Sequence, residues 1–372
     1  MTNNQETILS QLSAEVPISM AERACQVLMN TFTPANLPPA NTWHYHQSVF
    51  LYGMQRVWEK NGGQEYFDYI KGYVDTFVDA DGNFLFARDE LDSIQVGILL
   101  FPLYKKTKDE RYKKAATKLR NLYTTLNQTK EGGFWHKDKY PYQMWLDGLF
   151  MAGPFALMFD QAFNEPELVD MVLYQESLMR KYMTDQETGL LYHAWDETRS
   201  MPWANPETGC SPEFWGRSVG WYGTALIDIL DILPENHEGR TVLIEALQKL
   251  ISGYAKFQDE KTGLWYQIVD KVDQTDNWLE SSCSSLFVYT IARAVENGYV
   301  DKKYITIAVK AYQGLLDEMI ECDNDTWKMK GICIGTSAGV YDYYVSRPVS
   351  ENDLHGVGAF ILASMAVANI IE

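Results

Sequence analysis

Two kinds of helix-forming pattern alternate along the chain. In the first kind, apolar residues recur every three to four positions and charged residues cover the opposite side, which predicts amphipathic helices with one buried face. These segments are residues 14–32, 66–78, 112–126, 166–183, 240–257 and 302–320. In the second kind, apolar and small residues occur on all sides, which is typical of helices buried all round. These segments are residues 46–59, 94–104, 148–159, 218–230, 281–295 and 356–371, of which the first is the weakest.

A glycine followed by an apolar and aromatic run precedes several of the buried segments. The glycines are Gly82, Gly132, Gly189 and Gly263. Each pattern predicts a tight turn that leads into a short β-strand. The chain is therefore interpreted as repeated helical hairpins, each with a loop of variable length.

The hairpins are expected to close into a ring, because the last buried segment is as apolar as the central ones. An open solenoid would end in a polar cap. The predicted fold is all-α: an (α/α)6 barrel of six helical hairpins with inner and outer rings, and short β-strands in the loops at the active-site end. Closure also allows residues 1–372 to form a single catalytic domain, although single cores usually stop growing at about 250–300 residues.

Composition and charge narrow the classes of function. The chain carries 32 basic and 50 acidic side chains, a net charge of −18, with no Lys/Arg block, which argues against nucleic acid and anionic membranes as partners. Residues 1–17 lack the features of a secretory signal, and the longest mostly apolar run, residues 359–371, is too short to span a bilayer. Five scattered cysteines without a C-x-x-C motif favour a reduced, cytoplasmic setting. The sequence does not reveal the oligomeric state.

The candidate chemistry lies at the starts of the buried helices, because these starts converge at one mouth of a closed ring. The marker residues are Tyr45, Asp92, Asp147, Arg217, Glu280 and Asp353. A carboxylate at a helix start more often caps the helix, so capping is the structural alternative for each acidic residue. Asp147 stands out because its neighbours are apolar. Burial is expected to raise its pKa, and the like charge of Asp92 to add to that shift.

The histidines have competing interpretations. His44 and His46 could form a metal pair, but no third ligand stands at a fixed spacing, so neither a metal nor another cofactor is predicted. His136 and His193 each close a glycine–aromatic run and are expected to point at the mouth. A lone histidine is more often structural, whereas two at equivalent positions of a repeat are more suggestive of function.

Arg217 lies between Trp215 and Trp221. A basic residue at an aromatic mouth of an acidic protein indicates an anionic ligand group such as a carboxylate. An ion pair with Glu213 or a nearby aspartate is an equally weighted alternative. The small-residue loop 336–339 could approach a ligand or be a simple turn. Motifs of serine hydrolases, P-loop proteins and dinucleotide-binding enzymes are absent from the required contexts.

Short motifs at these positions carry a family resemblance. They are WHYHQ at 43–47, RDELD at 88–92, GGFWH at 132–136, YPYQMWLDG at 140–148, YHAWD at 192–196, CSPEFWGRS at 210–218, GTSAG at 335–339 and DLHG at 353–356. Together they closely resemble the unsaturated rhamnogalacturonyl hydrolases, glycoside hydrolase family 105. The similarity extends over essentially the whole chain.

The resemblance implies a cytoplasmic (α/α)6-barrel enzyme of pectin breakdown. Its substrate would be a small anionic oligosaccharide with a 4,5-unsaturated galacturonyl unit at the non-reducing end, linked to rhamnose. Asp147 would be the general acid and base, with Asp92 beside it. The positions that the resemblance implies for sugar binding are His44, Tyr45, His136, Lys137, His193, Trp215, Arg217, Trp221 and Ser337.

The resemblance implies hydration of the C4=C5 double bond, after which the product opens and releases the rhamnose-bearing part. Several alternatives stay open. One is a hydrolase of unsaturated uronides with another linkage, and a second is an ordinary two-carboxylate glycosidase that uses Asp92 and Asp147. A third is a sugar epimerase or lyase that uses His193, and a fourth is a carbohydrate-binding module without catalysis.

Overall fold

Helices form almost all of the regular structure in the computed structural model, which describes residues 12–85, 87–323 and 326–371. In chain order they are α1 Glu15–Thr31, α2 Tyr45–Asn61, α3 Gln64–Phe77, α4 Leu91–Val96, α5 Leu100–Thr107, α6 Glu110–Leu122, α7 Asp147–Phe163, α8 Glu167–Met183, α9 Gly216–Ile232, α10 Gly239–Lys256, α11 Ser281–Glu296, α12 Ile305–Gly314, α13 Tyr341–Val345 and α14 Leu354–Ile371. Most of residues 1–17, in which no secretory signal is expected, lie outside the described range. The single domain 1–372 stays a prediction.

The helices form two concentric rings. The inner ring runs in order through α2, α4 with α5, α7, α9, α11 and α14, and α14 packs against α2 to close it. The outer helices α1, α3, α6, α8, α10 and α12 pack against the outside of this ring. The structure therefore confirms the predicted (α/α)6 barrel.

Two predicted helices are modified by local geometry. The buried segment predicted at 94–104 is split into α4 and α5 by a 3-10 turn at Gly97–Leu99. The amphipathic segment predicted at 302–320 begins with a 3-10 turn at Lys302–Tyr304 and ends in a π-helical turn at Leu315–Met319. Short 3-10 and π turns commonly occur at helix junctions and ends. Hydrophobic periodicity does not distinguish them from a regular helix.

The inner helices are buried on all sides, as their sequences predict. In α9, every residue from 216 to 230 is buried. By length and composition, helix α14 is long and apolar enough to cross a membrane. It is longer than the apolar run at 359–371 suggests. However, 83% of it is buried inside the protein. Its apolar character therefore follows from its place in the inner ring.

The predicted glycine turns are present, but the strands after them are shorter than expected. Gly82, Gly132, Gly189 and Gly263 all have φ between 70° and 85°, a region that other residues rarely adopt. At Gly189 a Cβ atom would lie 2.8 Å from the carbonyl oxygen of Lys249 in α10. A single β-bridge joins the two sides of three of these turns. The paired residues are Val78 with Phe84, Gln128 with Phe134, and Thr184 with Leu191. One pair of residues closes these hairpins before the chain turns towards the inner ring.

Three small antiparallel sheets lie in the described loops. Their strands are β1 Gln143–Trp145, β2 Ala194–Asp196, β3 Ile320–Cys322, β4 Trp327–Met329, β5 Ile332–Cys333 and β6 Val349–Ser350. They pair as β1 with β2, β3 with β4, and β5 with β6. The first and third pairs lie next to the starts of α7 and α14 in sequence, so they help to position the ends of those helices.

Candidate active site

A cavity of about 430 Å³ is bordered by the starts of α2 and α4 and by Trp145, which precedes α7, whereas Asp147, His193 and Arg217 are not among its lining residues. Its lining includes His44, Tyr45, Asp92, His136, Lys137 and Ser337, six of the residues for which the sequence implies a functional role. A second cavity of about 500 Å³ shares His44 and His46 with the first. The two cavities therefore form one cleft at the mouth predicted from the repeat.

The pairing of β1 with β2 brings Asp147 to His193. Trp145 is aligned with Ala194, and the first amide after β1, that of Leu146, donates to the carbonyl oxygen of His193 at 3.0 Å. Asp147 follows as the first residue of α7, and its Oδ2 lies 3.4 Å from His193 Nε2. His193 is fully buried, and Asp147 is 8% exposed beside the cleft-lining Trp145.

The expectation that Asp147 has a raised pKa is wrong for the protein without substrate. Burial acts to raise the pKa, but the nearby imidazole groups of His193 and His136 outweigh it and hold the pKa below its usual range. The apolar neighbours in sequence predict the burial correctly. They do not show that two imidazoles, from distant parts of the chain, face the carboxyl group.

Asp92 lies in a cluster of cationic and imidazole groups. Its carboxylate pairs with the ammonium group of Lys137, and its Oδ2 lies 3.3 Å from His44 Nε2. His136 Nε2 is 4.0 Å from its Oδ1. Although burial opposes ionisation, Lys137 and the two histidines hold the pKa of Asp92 well below its usual range. The expected repulsion of Asp147 by an uncompensated Asp92 charge is therefore wrong, because Lys137 neutralises that charge.

The structure separates capping carboxylates from the two candidate catalytic ones. Glu280 caps α11, since its side chain accepts the Cys283 amide, and it also accepts the Cys333 amide at 2.8 Å. Neither α4 nor α7 has a side-chain cap of this kind. The Asp92 and Asp147 carboxylates instead face basic side chains, which favours the functional interpretation of both.

Arg217 is held by backbone carbonyl groups. Its guanidinium group donates to the carbonyl oxygens of Cys333 and Ile334, and its central carbon lies 4.4 Å from the ring centre of Trp215. The alternative of an ion pair with Glu213 is wrong among the described residues, since the ion pair recorded for Glu213 is with Lys271 at 4.0 Å. The buried positive charge of Arg217 therefore has no carboxylate in direct contact within the described structure.

The predicted aromatic residues form the wall around this centre. Trp215 lies 4.6 Å from the ring of His193, and Trp221 stacks on Phe150 at 4.7 Å with Tyr45 edge-on at 6.3 Å. Both indoles are 1% exposed. They support the residues that line the cleft, and the direct sugar contact implied by the resemblance stays a prediction.

His136 stacks on Trp145 with a ring separation of 4.4 Å. Burial is the main cause that lowers the pKa of His136 to about 4. The ring is therefore neutral at pH 7 and can accept or donate a hydrogen bond without carrying charge. Its Nδ1 atom is buried and makes no hydrogen bond to any of the described residues.

Two residues of the site were missed by sequence analysis. The hydroxyl group of Tyr344 lies 2.7 Å from His193 Nδ1, and Arg347 lines the cleft beside Ser337. Ser337 is 2.9 Å from the hydroxyl group of Tyr343, so the loop 336–339 is both a turn and part of the cleft. The aromatic run at 341–344 next to this small-residue loop was the available signal.

Two clusters have ligand atoms close enough to hold a metal ion: His46 with Asp353 and His355, and His44 with Glu90 and Asp92. Sequence spacing does not reveal a third ligand for His46. In the structure, the further ligand atoms come from Asp353, the residue before α14, and from His355 within α14. Both imidazoles of the first cluster already reach one oxygen of Asp353, at 3.0 and 2.8 Å. In the second cluster, the ammonium group of Lys137 contacts both carboxylates. Hydrogen bonds and this ion pair therefore occupy some of the ligand atoms in each cluster, whereas His44 Nδ1, Asp92 Oδ1 and His355 Nε2 are buried without a hydrogen-bond partner among the described residues.

Comparisons with known proteins identify the family of the chain. The family model of Glycosyl Hydrolase Family 88 matches residues 20–371. The unsaturated rhamnogalacturonyl hydrolase YesR of Bacillus subtilis is 26% identical over 283 residues, which cover 74% of this chain and 77% of that protein. Protein Atu3128 of Agrobacterium fabrum is 34% identical over 227 residues, covering 57% of this chain and 96% of that protein.

Solved structures share the fold. A family 105 glycoside hydrolase from C. acetobutylicum superposes with a TM-score of 0.88 at 35% identity, covering 93% of this chain and 98% of that chain. The unsaturated glucuronyl hydrolase of Bacillus sp. GL1 superposes with a TM-score of 0.64 at 15% identity, covering 87% of this chain and 85% of that one. The second similarity supports the fold alone.

Proposed function

The chain belongs to Glycosyl Hydrolase Family 88, and from this premise we propose that it is an unsaturated rhamnogalacturonyl hydrolase with Asp147 as general acid and base. Membership of this family and the family 105 structural relative make it a glycoside hydrolase that acts on unsaturated uronides. The galacturonyl–rhamnose linkage is the finer part of the proposal. Its support is the similarity to YesR together with the motifs at the cleft.

The observation that carries the proposal is the contact between Asp147 and His193. A carboxyl group at this position can deliver a proton to C4 of the unsaturated sugar, leaving an oxocarbenium ion at C5. The resulting carboxylate then takes a proton from the water that attacks C5. The hemiketal formed at C5 opens, and the rhamnose-bearing part leaves. Acid–base help of this kind typically contributes about 10²–10⁴-fold in rate.

The lowered pKa of Asp147 means that the enzyme without substrate holds an ionised carboxyl group at neutral pH. The proposal therefore requires that substrate binding restores the proton. The uronate brings a negative charge to the site and the sugar excludes water, and both changes raise the pKa of a nearby carboxyl group. Arg217, whose charge is held only by carbonyl groups, is the proposed partner of the uronate carboxylate.

The structure disfavours the two-carboxylate alternative. A second catalytic base would have to be Asp92, whose carboxylate is already paired with Lys137 and approached by His44. The hydration mechanism needs one carboxyl group, and Asp92 then keeps Lys137 and the two histidines in place. The proposed setting is the cytoplasm, which the five unpaired cysteines support.

The proposal is tested with an unsaturated galacturonyl–rhamnose disaccharide. Hydration removes the double bond, so turnover is followed by loss of ultraviolet absorbance, and the released rhamnose is identified by mass. We expect Asp147→Asn to lower kcat by at least about 100-fold. Asp160→Asn, on the same helix α7, is the control. Near-normal turnover by Asp147→Asn would refute the assigned role, and failure of the wild-type enzyme to consume the disaccharide would refute the substrate.

A further inference from the structure

Two arginines hold one short segment of the cleft wall. The buried Arg217 donates to the carbonyl oxygens of Cys333 and Ile334. Arg347 continues the series: its Nη2 donates to the carbonyl oxygen of Gly335 at 2.7 Å, and its Nε donates to the Thr336 hydroxyl at 3.1 Å. Three consecutive carbonyl groups are therefore bonded to guanidinium groups, one buried and one at the cleft surface.

The charge of Arg347 is not compensated within the described structure. No described carboxylate lies within ion-pair distance of it, and its Nη1 donates no hydrogen bond to a described residue. Its central carbon lies 5.0 Å from the ring centre of Tyr343, which fixes the plane of the guanidinium group. The side chain is thus oriented by its loop and its aromatic neighbour, with donors left over.

Lys139 adds a second such cation to the same cleft. Its ammonium group lies 4.7 Å from the ring centre of Tyr140, and it too has no described carboxylate partner. The charged residues that line this cavity are Lys137, Lys139, Arg347 and Asp92, of which Lys137 and Asp92 neutralise each other. A protein with a net charge of −18 therefore presents a positive cleft, which attracts anionic ligands.

We propose that Arg347 and Lys139 form a second anion-binding subsite for the leaving part of the substrate. Under the proposed function, on which this inference rests, Arg217 is assigned to the unsaturated uronate. Arg347 holds the next carbonyl group along the same segment, that of Gly335, and lies nearer the surface. The subsite takes an oxyanion carried beyond the bond that breaks, either a uronate carboxylate or a sulfate ester. The preferred substrate is then an oligosaccharide with two or more acidic groups.

The test compares four synthetic substrates that share the unsaturated galacturonyl–rhamnose end. The first is the disaccharide, and the second is a tetrasaccharide with a further galacturonate. The third is the same tetrasaccharide with that carboxyl group reduced to an alcohol, and the fourth is the disaccharide with a sulfate on rhamnose. We expect the wild-type kcat/KM to be about tenfold higher for the second or the fourth than for its neutral counterpart, and to fall with added salt. Whichever is preferred identifies the oxyanion.

The variants distinguish two possible roles of Arg347: binding of an anionic group of the substrate and support of the loop whose carbonyl group it bonds. Arg347→Gln and Lys139→Gln are expected to lower the selectivity ratio, acidic over neutral substrate, by several-fold each, and Arg347→Lys to retain more of it. The control is Lys256→Gln, because Lys256 also lies over a neighbouring ring, that of Phe257, at 5.1 Å, but on the outer helix α10. Its selectivity ratio should equal that of the wild type.

Two results would overturn the inference. One is a wild-type enzyme with equal kcat/KM on all four substrates, and the other is an Arg347→Gln variant that loses activity equally on acidic and neutral substrates. The second result would assign Arg347 to loop support alone. Consumption of the disaccharide shows that the proposed function holds even where the subsite fails, whereas no consumption of any of the four refutes the function itself.

Discussion

The hydroxyl oxygen of Tyr344 lies 2.7 Å from Nδ1 of His193, while Nε2 of the same ring faces Asp147 at 3.4 Å. The Gly339 amide donates to this hydroxyl oxygen at 3.1 Å, so the hydroxyl proton is free to be donated to His193 Nδ1. With the hydroxyl group as donor, Nδ1 is the acceptor, and the tautomer with its proton on Nε2, the atom that faces Asp147, is favoured. Tyr344 is thereby a positioning residue for Asp147, the proposed general acid.

Replacement of Tyr344 by Phe should lower kcat by about three- to tenfold, with little change in KM. The expected factor corresponds to the loss of one hydrogen bond worth about 0.5–1.5 kcal/mol. The pH profile of kcat should shift, because His193 can then adopt either tautomer. Steady-state kinetics over a pH series measures both effects. Tyr341→Phe is the control, since the Tyr341 hydroxyl bonds Asp276 outside this chain of contacts. An unchanged kcat and pH profile would show that Tyr344 serves packing only.

Lys137→Met should destabilise the protein by about 3–5 kcal/mol, because it leaves the 2% exposed Asp92 without its counter-ion. The free energy of unfolding in urea measures the effect. The double variant Asp92→Asn with Lys137→Met should be more stable than Lys137→Met alone, since the buried charge is gone as well. Equal destabilisation in the single and double variants would contradict this account of the ion pair.

Asp228 should make the stability of the protein depend on pH. It is 2% exposed, accepts the Tyr289 hydroxyl at 2.7 Å, and has a pKa raised mainly by burial to about 6. Because the folded-state pKa lies above the usual 3.8, the proton stabilises the folded state fully at low pH, and this stability is lost as pH rises from about 4 to above 6.

Asp228→Asn should therefore raise the free energy of unfolding at pH 8 by up to about 3 kcal/mol, with the gain disappearing near pH 4. Urea unfolding of both proteins across this range is the measurement. Parallel pH dependences in the two proteins would show that Asp228 does not titrate in this interval.

Activity should be independent of added metal. His46 and His355 share one oxygen of Asp353, and Lys137 occupies the position between Glu90 and Asp92 that a cation would take. Dialysis against a chelator should leave kcat on the unsaturated disaccharide unchanged. A loss of activity that a divalent cation restores would contradict this prediction.

The sequence predicts the architecture well because the same helical hairpin recurs along the chain, so that each copy supports the assignment of the others. Asp147 is the first residue of α7, and Tyr45 is the first of α2; both were marked from the alternation of helix types. The strands after the glycine turns were overestimated, since an apolar run such as that after Gly132 does not reveal that only Phe134 pairs across the hairpin.

The electrostatics of the site could not be predicted in the same way. Apolar neighbours in sequence show that Asp147 is buried, but its pKa is set by His193 and His136, which approach through strand register and loop packing. Tyr344 lies in the short helix α13, and Arg347 lies in the loop that follows it. Their roles depend on contacts with His193 and the 335–336 segment, which no local pattern encodes.

The packing of α14 against α2 has a consequence for biosynthesis. The residues at the two helix starts, Tyr45 and His355, lie 6.3 Å apart by ring centres, although 355 − 45 = 310 positions separate them along the chain. Contacts between such distant parts of a chain form slowly. A polypeptide in which α14 has not yet been made or has not yet packed against α2 therefore has an open seam along the barrel, and the mouth at the inner-helix starts is complete only once that seam closes.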